Sequence, residues 1–116
     1  MHELSLAVSL VDGLLEAAAR EGAARVVRIE LRVGRFGGVD PEALAFAFPI
    51  AAEGTIAAGA QLAITEAPLV VDCRACGART EPEYPNARCA ACASGDIAVV
   101  SGEELQVVAM EVTDVP

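Results

Sequence analysis

Two Cys-x-x-Cys pairs, Cys73/Cys76 and Cys89/Cys92, stand twelve residues apart in the stretch CRACGARTEPEYPNARCAAC, and they hold every cysteine of the chain. Four thiols at this spacing match a structural zinc site, in which each pair curls into a knuckle and turns both sulfurs toward one Zn²⁺. Four sulfurs close the tetrahedron and leave no open position for chemistry. Gly77 follows Cys76, where a tight knuckle calls for positive φ, and Ala93 takes the same place after Cys92 at a small cost in strain. Disulfides and a redox dithiol are the rival readings. The first needs an oxidising compartment, for which the N-terminus shows no signal peptide; the second needs one Cys-x-x-Cys, not two.

A chain of 116 residues has room for one modest core, and with no Trp, three Phe and one Tyr that core is aliphatic. The net charge of −9 argues against nucleic acid as a partner. The ribbon has no basic patch of its own either: Asp72–Asp96 carries three Arg against four acids. No apolar run is long enough for a membrane span, so a cytoplasmic protein with protein or cation partners is expected.

Along the chain, Leu4, Val8, Val11, Leu15 and Ala18 recur at helical spacing, widened by Ala7 and Leu14, and Gly22 ends the helix. Period two then predicts a strand with Val27, Ile29, Leu31 and Val33 inward and Arg28, Glu30 and Arg32 outward. Asp40-Pro41-Glu42 reads as N-cap, N1 and acidic first turn of a second helix carrying Leu44, Phe46, Ala47, Phe48 and Ala51, which Pro49 is expected to kink or break. Leu62 and Ile64 mark a second strand, Ile97–Val100 a ribbon strand, and Leu105–Val112 a last strand whose apolar residues on both sides suit a position covered on two faces. The fold class that follows is α+β: a two-helix, three-stranded domain (residues 1–67 plus 104–116) interrupted by a Cys₄ zinc-ribbon insert (residues 68–103).

Candidates for catalysis are scarce. His2 is the one histidine, and lysine is absent, which removes Ser-His-Asp and Cys-His arrangements and the P-loop lysine. The chain is not expected to be an enzyme. What His2 can do is chelate: the Met1 α-amine, the His2 backbone nitrogen and the His2 imidazole form adjacent rings that favour a planar Ni²⁺ or Cu²⁺. Glu3, its backbone amide, or Asp40 offers a fourth donor. The other reading of His2 is a solvated terminal residue with no ligand.

With Met1-His2-Glu3-Leu4-Ser5, Val39-Asp40-Pro41-Glu42-Ala43-Leu44, the Phe46/Phe48 pair, Ala52-Glu53-Gly54-Thr55, both cysteine pairs and the ending Ser101–Leu105 through Met110-Glu111-Val112, the whole chain resembles the HypA/HybF family of hydrogenase nickel-insertion proteins. The resemblance implies a nickel metallochaperone with Ni²⁺ at the N-terminus, His2 as principal ligand beside Met1 and Glu3, and Asp40 as a weaker candidate. It implies structural Zn²⁺ on Cys73, Cys76, Cys89 and Cys92. Implied partners are the GTPase HypB, the large subunit of [NiFe]-hydrogenase and, in some members, urease accessory proteins. The alternative is a zinc-ribbon adaptor that binds another protein and carries no transferable metal.

Overall fold

The computed structural model describes residues 2–83 and 85–116, with the backbone alone for Arg35. Its elements in chain order are α1 (His2–Arg20), β1 (Arg25–Gly34), a 3₁₀ turn (Arg35–Gly37), α2 (Pro41–Ala52), β2 (Gln61–Ala67), β3 (Val70–Cys73), β4 (Arg79–Thr80), β5 (Ile97–Ser101) and β6 (Leu105–Thr113). They form two three-stranded sheets, ordered β2-β1-β6 and β4-β3-β5. The chain divides into two compact units: Met1–Leu31 with Asp40–Thr65 and Gln106–Pro116, and Arg32–Val39 with Glu66–Leu105.

In the first unit α1 packs against α2. The buried stripe of α1 is Ala7, Val11, Leu14 and Ala18. This stripe is narrower than the expected one: Val8 lies 46% exposed and Ala7 is fully buried. Gly22 takes φ +67°, the left-handed cap that stops the helix.

β1 keeps the expected inward set at Ile29, Leu31 and Val33, but its first turn of alternation is reversed: Val26 is buried and Val27 is 44% exposed. The cause is local. The Val26 amide donates to the Ile56 carbonyl at 3.0 Å, which draws this residue under the turn that follows α2.

Asp40 caps α2 as expected; its side chain accepts from the Glu42 amide at 3.0 Å, and Pro41 stands at the first helical position, where its missing N–H is no loss. Pro49 does not break the helix, which runs on to Ala52. Pro49 and Ala45, whose carbonyl loses its helical donor to the proline, are both exposed residues. Of the two phenylalanines on α2, Phe48 is 2% exposed and Phe46 is 77% exposed, so only Phe48 joins the core.

β6 also departs from expectation. It is an edge strand, and Val107, Val108 and Val112 are 45%, 62% and 37% exposed rather than covered on two faces. Its apolar character on both sides reflects β-propensity as much as burial.

In the second unit β3 pairs antiparallel with both β4 and β5. Neither β3 nor β4 was visible in the hydrophobic pattern; β4 is two residues long, and its pairing is fastened by Arg79, which donates to both carboxylate oxygens of Asp72 at 2.7 and 3.0 Å. Glycines permit close backbone approach here. A Cβ on Gly34 would run into the carbonyl of Gly102, and one on Gly102 (φ +114°) would stand 2.8 Å from the Leu69 Cα.

Candidate metal centre

β3 ends on Cys73 and delivers it into the first knuckle. The chain then reverses, with the Gly77 amide donating to the Cys73 carbonyl at 2.9 Å and the Cys76 amide to the Cys73 Sγ at 3.3 Å. The second knuckle repeats the arrangement: the Ala93 amide donates to the Cys89 carbonyl at 2.8 Å and the Cys92 amide to the Cys89 Sγ at 3.4 Å. Each reversal needs positive φ, +78° at Gly77 and +63° at Ala93. Ala93 is, among the described residues, the one non-glycine that bears it. The second knuckle is further tied by Thr80, whose Oγ1 accepts from the Ala90 amide at 3.1 Å.

The two knuckles face each other. Cys73 Sγ lies 3.6 Å from Cys92 Sγ and Cys76 Sγ 3.6 Å from Cys89 Sγ, and all four sulfurs fall within 4.8 Å of one another. A disulfide bond is about 2.05 Å long, so these sulfurs are unbonded. A tetrahedron of sulfurs about 2.3 Å from a central ion has edges of about 3.8 Å. The observed spacing brackets that edge, so the cluster fits a tetrahedral ion. Among the described residues it is the cluster of three or more His, Cys, Asp or Glu side chains able to hold a metal.

The first cysteine of each pair is buried and the second exposed. Ionisation follows the same division. Cys89 is held down at about 6, chiefly by the Cys92 amide, against the effect of burial. The Cys76 amide lowers Cys73 in the same way. At Cys92 the Ser94 backbone pulls downward, yet Cys73, burial and the remaining sulfurs push the thiol up to about 12. At Cys76 the Ala78 backbone lowers the thiol, and Cys89 and Cys73 outweigh it, so the group ends raised. Four thiolates in this space therefore repel one another, and a cation at the centre removes the penalty.

The N-terminal candidates are held differently. Met1 lies outside the described residues, so its amine stays an expectation. His2 opens α1, with its side chain 61% exposed and its Nδ1 3.5 Å from the Glu3 Oε2. Amides in the first turn of a helix have no i−4 carbonyl to bond, which leaves the His2 and Glu3 backbone nitrogens without helical partners. The Glu3 carboxyl sits below the usual carboxylate range, first through its own backbone amide, then through the His2 side chain and the Asp40 amide, against some desolvation. Asp40 thus supports Glu3 through its main chain, while its carboxylate is engaged in capping α2. The sequence had no signal for this main-chain link, nor for the Asp72–Arg79 and Thr80–Ala90 contacts that brace the cysteines.

Four cysteine sulfurs spaced to hold one tetrahedral ion, on a small α+β chain, point to the class of metal-binding proteins. Comparison with known proteins names the kind: the family described as "Hydrogenase/urease nickel incorporation, metallochaperone, hypA" matches residues 1–112, and the chain belongs to this HypA family. The hydrogenase maturation factor HypA of Chlorobium limicola is 51% identical over 104 residues, 90% of each chain. That of a Synechococcus species is 45% identical over 112 residues, covering 97% of this chain and 99% of the relative. In structure the chain is similar to the Ni metallochaperone HypA from Helicobacter pylori (TM-score 0.70, 22% identity, 96% of this chain and 97% of that one). A second HypA solution structure agrees (TM-score 0.72, 23% identity, 98% of both chains). At such identities the structural likeness speaks for the fold. No helix among the described residues is long and apolar enough to cross a membrane.

Proposed function

We propose that this chain carries Ni²⁺ at its N-terminus and delivers it during the maturation of [NiFe]-hydrogenase, while the four cysteines hold a structural Zn²⁺. The observation that carries the reading is the start of α1, where an exposed imidazole and a carboxylate 3.5 Å away meet on first-turn backbone nitrogens that have no i−4 helical acceptor. His2 would be the principal ligand, joined by the Met1 amine and backbone nitrogen. The Glu3 carboxylate is within reach as a further donor or as the partner that orients the imidazole. Ligands at a chain end detach one at a time, which suits an ion that must leave.

Zn²⁺ bound by Cys73, Cys76, Cys89 and Cys92 would neutralise the crowded thiolates and contribute its binding free energy to the folding of the ribbon. The knuckle amides aim the sulfurs in advance. The nickel domain is then residues 1–67 plus 104–116 and the zinc domain residues 68–103. The protein works in the cytoplasm without catalysing a reaction. The HypB GTPase and the hydrogenase large subunit are its partners, with urease accessory proteins as further clients.

Nickel titration by calorimetry tests the site: the untagged protein against His2→Ala and against a form extended before Met1. Both changes should weaken binding at least about a hundredfold. Equal affinity in all three would leave a sulfur-clasped adaptor with no cargo.

A further inference from the structure

Apart from Glu42, α2 consists of Ala, Leu, Phe, Pro and Ile. A helix apolar all round is ordinarily covered on every side. Here Leu44, Ala47, Phe48 and Ala52 are buried while Phe46 is 77% and Ile50 53% exposed. Those two stand four residues apart and share one face of the helix. Together with Leu4, Ala43 and Ala47 they line a groove of about 300 Å³ between α1 and α2, and Glu3 lines it too.

The surroundings are of one sign. Asp40 and Glu53 cap the two ends of α2, Glu42 stands in its first turn and Glu3 in the first turn of α1. α2 has no basic residue, and α1 has Arg20 in its last turn. An acidic rim repels the anionic surfaces of membranes and nucleic acids. A second copy of this chain would bring the same acids against the same acids, which costs rather than stabilises. The complementary occupant is a protein segment with large apolar side chains and Lys or Arg beside them.

We propose that the groove between α1 and α2 docks a short amphipathic basic helix of a partner protein, its apolar residues meeting Phe46 and Ile50 and its cations meeting Glu3, Glu42 and Glu53. Two helices with an i, i+4 pair between them accept a third helix by its apolar face. The inference rests on the nickel reading above for its purpose: since Glu3 lines the groove and neighbours His2, the docked helix arrives beside the ion.

The test uses a labelled synthetic peptide of about fifteen residues, helical, with Leu at i, i+4 and Lys flanks, followed by fluorescence anisotropy. Binding is expected, and it should weaken with added salt. Phe46→Ser with Ile50→Ser should reduce it at least about tenfold. Glu42→Gln with Glu53→Gln, which leaves the groove intact, should reduce it less. No binding, equal binding of a Glu-flanked peptide, or indifference to Phe46 and Ile50 would overturn the proposal. So would a stable dimer of the protein that the Phe46/Ile50 variant dissociates, since a second copy would then fill the groove. Nickel titration of the Phe46/Ile50 variant should match the parent. If His2→Ala leaves nickel binding unchanged while the peptide still docks, the nickel reading fails and the docking surface stands.

Discussion

The cysteine cluster and the start of α1 present their side chains under opposite constraints. Each sulfur pair is aimed by two main-chain hydrogen bonds within its knuckle, and the first sulfur of each is buried. His2 has one neighbouring carboxylate at 3.5 Å and most of its ring in solvent. A cage whose donors are fixed before the ion arrives loses little entropy on binding and releases slowly. Donors on a chain end must be ordered by the ion, and they can be exchanged singly. On the proposed function, restraint of the donors would separate a metal kept for structure from one held for transfer.

The comparison breaks most visibly at the buried sulfurs. Cys89→Ala should abolish zinc retention and unfold the second unit, with a loss on the order of 10 kcal/mol of folding free energy from the metal. The first unit's helical signal should persist, as read by metal analysis and NMR. Zinc kept on three sulfurs would show that the cage is less interdependent than its geometry implies.

Next in size is His2→Ala, which should lower nickel affinity at least about a hundredfold and leave zinc content unchanged. A loss of zinc in that variant would mean that the regions are not independent.

Proton release sharpens the contrast further. Cys89 is held at about 6 and is already ionised at pH 7.5, whereas Cys92, at about 12, and the raised Cys76 must each lose a proton when metal binds. Zinc uptake by the apo protein should then release about two to three protons, measured by calorimetry in buffers of different ionisation enthalpy. Because the raised groups titrate above their ordinary range, affinity should climb with pH through and beyond neutrality. A release near four would mean that the knuckle amides do not hold Cys89 and Cys73 ionised before the ion enters.

The smallest effect concerns the one asymmetry between the knuckles. Ala93 holds φ +63° where the first knuckle has Gly77. Ala93→Gly should stabilise the ribbon by about 0.5–1 kcal/mol and raise its melting temperature, with Gly77→Ala acting in the opposite direction.

What the sequence revealed has a physical pattern. The cysteine spacing, the Asp40-Pro41 cap and the Gly22 stop were readable because each depends on the chemistry of residues close in the chain. The stripe of α1 was read too broadly, because alanine and valine score alike as apolar: Ala7, Val11, Leu14 and Ala18 are buried while Val8 lies 46% exposed. The tiny β4 has no periodicity to detect, since it exists through pairing with β3 and the Asp72–Arg79 ion pair. The exposure of Phe46 and of β6 was hidden for a similar reason: apolar residues reserved for the surface look like core in one dimension. At the cysteine cluster the side chains that come together could be named in advance, whereas the amides of Cys76 and Cys92 that bond the sulfurs carry no signature of their own.

The most direct measurement loads the untagged protein with both metals, challenges it with excess chelator, and follows each ion by mass spectrometry over time. Nickel should leave early and completely while zinc stays with the folded chain. Zinc departing as fast as nickel, or nickel outlasting zinc, would contradict the division between a held ion and a carried one.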